Sequence, residues 1–358
     1  MINDTVSKGK RVGISVIIPT YNRNQELCRV LSRLFEQNDQ AEEIIVVDQS
    51  LRHDLQTQNV LEGLVKEGKI RLIFQSPPSL PRARNRGILE ARHEVILCID
   101  DDADFDNDFI RMHRMSYDEQ GVDGVAGAMV TQKLTEFSLV DTMPSFALNK
   151  PWGWLNIPLN YSKKIRRIFM VGCNFSIKRE IALKVRGFDE NYIWPALCED
   201  NDFSWRVHKA KAVIVYNPSC LVSNITPHYG GCYFKRDSQF SPVTRELINN
   251  IYFFLVNSGL RFALLGWLRY YMKTYVYNKH NLCHPRFFFI AAMRYFVATL
   301  VALFLVLKGR RLIKIETNGR MSLPSPLFIF RQNNLVKLCP KLQLIFALCT
   351  QGLDSDTS

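Results

Sequence analysis

The sequence has no Cys-x-x-Cys pair and no Cys/His spacing of the metal-binding kind; its nine cysteines are scattered. That sets aside a zinc module or a thioredoxin-like centre. No Gly-x-Gly-x-x-Gly follows the first apolar run, and no Gly-rich loop ends in Lys-Ser or Lys-Thr. A dinucleotide-dependent oxidoreductase and a P-loop NTPase are therefore disfavoured. No secretory signal opens the chain: Met1 to Arg11 is mostly polar, and the apolar run Val12–Ile18 is short and meets Pro19. Free thiols in a reducing cytoplasm are the expectation. No nucleic-acid motif accompanies the net charge of +12, so we do not read it as DNA or RNA binding.

What is present is 358 residues, 47% of them apolar, enough for one large domain with an appendage or for two domains. Ile14–Ile18 reads as a buried strand. A helix follows with Leu27, Val30, Leu31, Leu34 and Phe35 on one face, the i, i+3, i+4, i+7, i+8 pattern of a core-facing stripe. Glu43–Val47 is a second strand ending in Asp48, and Ile70–Phe74 a third. Pro81 opens a helix through Arg84, Asn85 and Arg86. Val95–Ile99 is a fourth strand, apolar throughout and so buried on both faces. Strand–helix alternation predicts an α/β domain with a mostly parallel sheet, whose ligands bind beyond the carboxyl ends of the strands.

Those ends carry the chemistry. Asp100, Asp101 and Asp102 follow the fourth strand, with Asp104 just after. Like charges clustered beside a core are costly unless a cation joins them. A hard divalent ion bearing a diphosphate fits, since Mg²⁺ and Mn²⁺ prefer oxygen ligands; a solvated acidic turn is the plainer alternative. Tyr21 stands after the first strand and Asp48 after the second. Arg82, Arg84 and Arg86 stand in the first turns of a helix, where orphan N–H groups favour anions. Together they suggest a nucleoside-diphosphate site, although Tyr21 alone suits a packed turn and Asp48 alone a helix cap.

Further on, Val122–Val130 and Phe169–Ile177 read as strands, separated by a Pro- and Trp-rich stretch, Thr131–Arg167, of the length of a functional loop. Arg179–Val185 reads as a short helix stopped by Gly187. Glu199, Asp200 and Asp202 open another helix, where acids suit the N-terminus; one of them is placed to act as a general base, and Arg206 to pair with another. Val213–Tyr216 is a further strand. His228 follows in a Gly-rich stretch, where a neutral imidazole completes a carboxylate metal site or simply serves the structure.

After about residue 232 the composition turns aromatic and basic. Phe287–Leu307 is just long enough to span a membrane, but Arg294 in its middle is costly there. Apolar helices with basic residues suit attachment in the interface of an anionic membrane, with packing on the α/β domain as the second reading and a true span as the third.

These segments resemble the family 2 inverting nucleotide-sugar glycosyltransferases of GT-A fold. The matching stretches, in order, are SVIIPTYNR (15–23), IIVVDQS (44–50), ARNRGI (83–88), ILCIDDDAD (96–104), GCNFSIKRE (172–180), GFDE (187–190), CEDNDFSWR (198–206) and His228. The resemblance implies a Rossmann-like mixed, mostly parallel sheet flanked by helices over residues 12–231. An N-terminal tail (1–11), a C-terminal apolar helical appendage (232–345) and a polar tail (346–358) complete the chain. It implies that Pro19, Tyr21, Asp48, Arg84, Asn85, Asp100 and Asp101 bind the nucleotide-sugar. Asp48 would meet a uracil-like base, Asp102 and His228 a Mn²⁺ or Mg²⁺ ion. Asp200 would be the base, with Glu199, Asp202 and Arg206 supporting it or facing the acceptor. The chain departs from the family pattern at Gln49 and at Lys211, where glycine is common, and the Asp triplet leaves the register of its DxD segment open.

The expected activity is transfer of one sugar, UDP-linked, to a glycan or lipid-linked acceptor in surface polysaccharide assembly. It would take place at the cytoplasmic face of the membrane. Two rivals stand beside it. A sugar-nucleotide pyrophosphorylase needs a Gly-rich phosphate loop where Pro19–Asn22 stands. A non-catalytic scaffold of transferase fold has no need of the intact Asp100–Asp102, Asp200 and His228 set.

Overall fold

The computed structural model describes residues 11–131, 138–141, 158–167, 169–224, 242–258 and 285–325. Strands β1 (Ile14–Thr20), β2 (Glu43–Asp48), β3 (Arg71–Phe74) and β4 (Val95–Ile99) alternate with helices α1 (Gln25–Phe35), α2 (Leu55–Lys66) and α3 (Leu80–Glu90). There follow β5 (Ala103–Asp104), α4 (Phe109–Met115), β6 (Gly124–Val130), β7 (Ile165–Arg167), β8 (Asn174–Lys178), α5 (Arg179–Lys184), α6 (Glu199–Lys209) and β9 (Ile214–Asn224). Helices α7 (Pro242–Ser258) and α8 (Pro285–Lys308) and a small hairpin, β10 (Lys314–Ile315) with β11 (Met321–Ser322), end the described chain.

The sheet runs β3-β2-β1-β4-β8-β6-β9-β5, with β7 on β9. Its first four strands are parallel; β8 runs antiparallel between β4 and β6, and β6 and β9 are again parallel. The continuous apolar strands follow from burial on both faces. In β1, Ile14, Val16 and Ile18 pack under α1 with Leu27, Val30, Leu31 and Leu34, while Ile17 packs with Ala83 and Ile88 of α3. Pro19 is tolerated inside β1 because it pairs with Val47 near the strand's end.

The expected strand at Phe169–Ile177 forms only from Asn174. Upstream, the N–H of Gly172 goes to Asp200 and its carbonyl to Arg84, so that backbone serves the site instead of a ladder. Strand β9 is longer than the apolar run Val213–Tyr216, because it continues past a register shift opposite Gly127/Ala128 and ends paired with β5. Most of the Thr131–Arg167 stretch, His228 and the polar tail lie outside the described residues.

The C-terminal helices are joined to the sheet domain through the GFDE segment. The N–H of Arg311 donates to Asp189 (2.9 Å), Tyr252 of α7 donates to the same carboxylate (2.7 Å), and Ile313 is buried in the core beside Phe188. Helix α8 packs along α7, burying Val297, Ala298, Ala302 and Leu305. Among the described residues no helix is long and apolar enough to cross a membrane.

Gly187 lies at the centre of this junction. Its φ is +64°, and an added Cβ would stand 2.2 Å from Asn85 Oδ1 and 2.7 Å from Ile313 Cδ1. Asn85 cannot yield freely, because its Oδ1 accepts from Phe188 N (2.6 Å) and its Nδ2 donates to Phe188 O (2.9 Å). Left-handed strain and overpacking add in Gly187→Ala, which is expected to cost about 2–4 kcal/mol. A fall in Tm of several degrees checks this, and an unchanged Tm contradicts it.

Candidate active site

The carboxyl ends of β1, β2 and β4 meet α3 and the start of α6. At the end of β4 the three aspartates diverge. Asp101 turns inward and accepts from the Thr20 hydroxyl (2.6 Å). Burial, then the charge of Asp102, pushes its pKa up to about 8. Asp102 meets the Arg23 guanidinium at 3.3 Å. Asp100 is the most open, 30% exposed, and pairs with Arg84 at 3.1 Å. The three carboxylates thus part in space: Asp100 faces Arg84, whereas Asp101 and Asp102, both buried, lie on the side of Arg23.

Arg84 is nearly inaccessible. Its Nη1 is bonded to Glu199, and its Nη2 reaches Asp100 and donates to Gly172 O (3.0 Å). Its guanidinium stands 5.5 Å from the Phe188 ring centroid. Burial opposes its charge, and Glu199 and Asp100 more than offset that, holding its pKa above the ordinary value. Arg84 therefore ties β4 to α6. Asn85, one residue on, bonds Phe188 and Glu190 and serves the GFDE junction.

Asp200 sits in the first turn of α6, the place the helix dipole favours for a carboxylate. Its two oxygens accept from Gly172 N (3.0 Å) and Asn201 N (2.8 Å). Burial raises its pKa, with those N–H groups and Arg84 pulling the other way. Each oxygen keeps a lone pair for a proton. Asp202 and Arg206 serve a different purpose. Asp202 bonds Arg206 (2.9 Å), Arg310 (2.6 Å) and Asn257 (2.8 Å), fixing α6 to α7 and to the segment after α8.

Asp48 ends β2 with one oxygen taken by Ser50 N (2.9 Å) and the other 2.8 Å from His53 Nε2. Burial works against its charge, but His53 and Ser50 more than offset it and hold its pKa below the ordinary value. Two residues here escaped the sequence reading. Arg23 lies inside the PTYNR stretch, and its charge opposite three aspartates was the available signal. His53 gave none, being a lone histidine brought back by the turn. The two departures also have explanations. Gln49 needs no left-handed backbone and bridges Thr20 O and Ser79 N. Lys211 adopts φ +63°, the conformation that favours glycine there.

The donor set suits a hard divalent ion. Asp100 and Asp102 offer oxygen only, and burial together with the charge of Asp100 pushes the pKa of Asp102 up to about 6. A cation beside it relieves that repulsion. Among the described residues no group of three or more His, Cys, Asp or Glu is arranged to hold a metal; His228 lies outside them.

Residues 15–186 match the family model described as glycosyl transferase family 2. No curated protein matches. Among solved structures the chain is similar to the mannosyltransferase PcManGT from Pyrobaculum calidifontis in complex with GDP-Man and Mn²⁺. The identity is 17% and the TM-score 0.50, over 84% of this chain and 80% of that one. It is similar to residues 1–349 of S. aureus TarS in complex with UDP-GlcNAc, at 15% identity and TM-score 0.53, over 90% and 97%. GalNAc-T7 with UDP, GalNAc and Mn²⁺ gives 15% and 0.53, over 69% of this chain and about half (48%) of that one. At these identities the likeness is one of fold, and it agrees with the mixed sheet described above. Residues 15–186 of this chain thus match glycosyl transferase family 2, and the fold that holds them is of the GT-A type.

Proposed function

We propose that this enzyme transfers one sugar, with inversion, from a UDP-sugar to a glycan or lipid-linked acceptor in surface polysaccharide assembly. The observation that carries the reading is Asp200. Its carboxylate is oriented by two backbone N–H groups, raised in pKa by burial, and bonded to the same Gly172 that anchors Arg84 beside Asp100. A base so placed takes the acceptor hydroxyl's proton while that oxygen attacks the anomeric carbon. The bond from that carbon to the diphosphate breaks in the same step, and the electron pair leaves with the nucleoside diphosphate. Asp48 orients the base, with Pro19 and Tyr21 flanking it, and Asp100 lies toward the ribose. Arg84 holds Asp100 and Glu199 in place.

Asp102 and His228 are the proposed holders of Mn²⁺ or Mg²⁺; strand β9 ends at Asn224, paired with Ala103, four residues before His228. When bound, the ion neutralises charge on the departing diphosphate. UDP binding is accordingly expected to need Mn²⁺ and to weaken at least about tenfold, about 1.4 kcal/mol, in Asp102→Ala. Calorimetric titration of UDP with and without Mn²⁺ reads this directly, and equal affinity in all four combinations contradicts it.

Peripheral attachment to the cytoplasmic face of the membrane is supported by the outer side of α8. Phe296 (54%), Leu300 (41%) and Leu307 (86%) are exposed there beside Lys308, an apolar stripe with a basic end that suits an anionic interface.

A further inference from the structure

Helix α3 has two working faces. Arg84 and Asn85 turn into the buried cluster, whereas Arg82, Arg86 and Glu90, spaced four apart, lie on the other side. The segment Met321–Leu323 passes over that outer side and leaves a cavity of about 630 Å³, also lined by Arg179. That volume is in the range of small-molecule sites.

The charges around it do not balance. Arg86 pairs with Glu90 (2.9 Å), but Glu90 is also held by Arg71 (2.8 Å). Arg82 bonds Glu190 (2.8 Å) and the Pro324 carbonyl (2.5 Å). Arg179 spends Nε and Nη2 on the carbonyls of Ile88 and Leu89 and has no carboxylate within ion-pair distance among the described residues. The Nε atoms of Arg82 and Arg86 are buried without a hydrogen-bond partner. Burial lowers the pKa of Arg179. The three guanidinium groups that line the cavity, those of Arg82, Arg86 and Arg179, thus share two carboxylates, Glu190 and Glu90, the second of which already serves Arg71.

We propose that this cavity is a second anion site, separate from the donor site, which binds a phosphate or diphosphate group. Planar guanidinium forks match phosphate oxygens in pairs, and an incoming anion would offset the surplus charge of Arg82, Arg86 and Arg179. The flanking Leu89, Met321 and Leu323 allow an apolar portion beside that group. The phosphate could be free or carried by a lipid headgroup.

The test uses the full chain in metal-free buffer, with two probes. One is calorimetric titration with inorganic pyrophosphate. The other is co-sedimentation with phosphatidylcholine vesicles with and without phosphatidic acid. Both are repeated on Arg86→Gln/Arg179→Gln. Because Arg179 also holds the end of α3, Arg86→Glu alone is the second variant; its side chain is 43% exposed and carries little of the fold. Saturable pyrophosphate binding that weakens at least about tenfold in the variants supports the site with a soluble ligand. Sedimentation that needs phosphatidic acid and is lost in the variants supports it with a lipid headgroup. No binding of either probe, or binding that both variants leave unchanged, overturns the proposal.

Discussion

Asp200→Asn lowers the transfer rate by about 10³-fold while leaving UDP affinity near that of the wild type, as expected for loss of a positioned general base. The substitution is nearly isosteric. An amide oxygen can still accept from Gly172 N or Asn201 N, so the start of α6 keeps its shape. What is lost is the capacity to hold a proton. The pH profile carries a second signature. Burial raises the pKa of Asp200 above the ordinary carboxylate value, and only the ionised form works as a base. The rate therefore falls as pH drops through that raised pKa, on a limb lying above about 3.9. The residual activity of the Asn variant lacks the limb. Near-normal turnover by Asp200→Asn, with donor still bound, removes Asp200 from its role.

Arg84→Leu is the second large effect, and it is structural. The wild-type guanidinium and the Glu199 carboxylate are 2% and 4% exposed. Removing the cation leaves Glu199 and Asp100 facing each other without compensation, and leaves Gly172 O without its donor. Breaking a buried pair from one side costs about 3–5 kcal/mol. Replacing both partners costs less, because the buried Glu199 charge is then not stranded and only the partly exposed Asp100 loses its partner. Arg84→Leu/Glu199→Leu is therefore expected to recover part of the loss, read as the difference in denaturant midpoint. A single variant as stable as the wild type contradicts the reading of Arg84 as the tie between β4 and α6. The cost to catalysis follows, since Asp200 leans on the same Gly172.

The parts of this fold that could be read from sequence share one property: local pattern and tertiary burial agree. β1, β2 and β4 are apolar without interruption because both faces are covered, and α1 shows its stripe because four of its residues meet the sheet. Helix α2 went unread because it buries only Thr57 and Leu61, too few to set a period. Two-residue β5 exists only through its pairing with the end of β9. At the site, residue types at strand ends were legible, partners were not. Arg84 looked like a phosphate ligand, yet its Nη1 is bonded to a residue 115 positions away. Asp202 and Arg206 looked like part of the acceptor site because they share a helix with Asp200; their partners Asn257 and Arg310 come from the C-terminal region. That region read as an appendage by composition, and only the Asp189 and Asp202 contacts reveal how far it is built into the transferase domain.

The central claim is that Asp200 drives a single displacement. Its most direct test needs no acceptor: proton NMR of the sugar first released when the enzyme hydrolyses an α-linked UDP-sugar, followed before mutarotation mixes the anomers. The account predicts the β anomer as the initial product, with a rate that collapses in Asp200→Asn. Initial release of the α anomer would mean two displacements and contradict it.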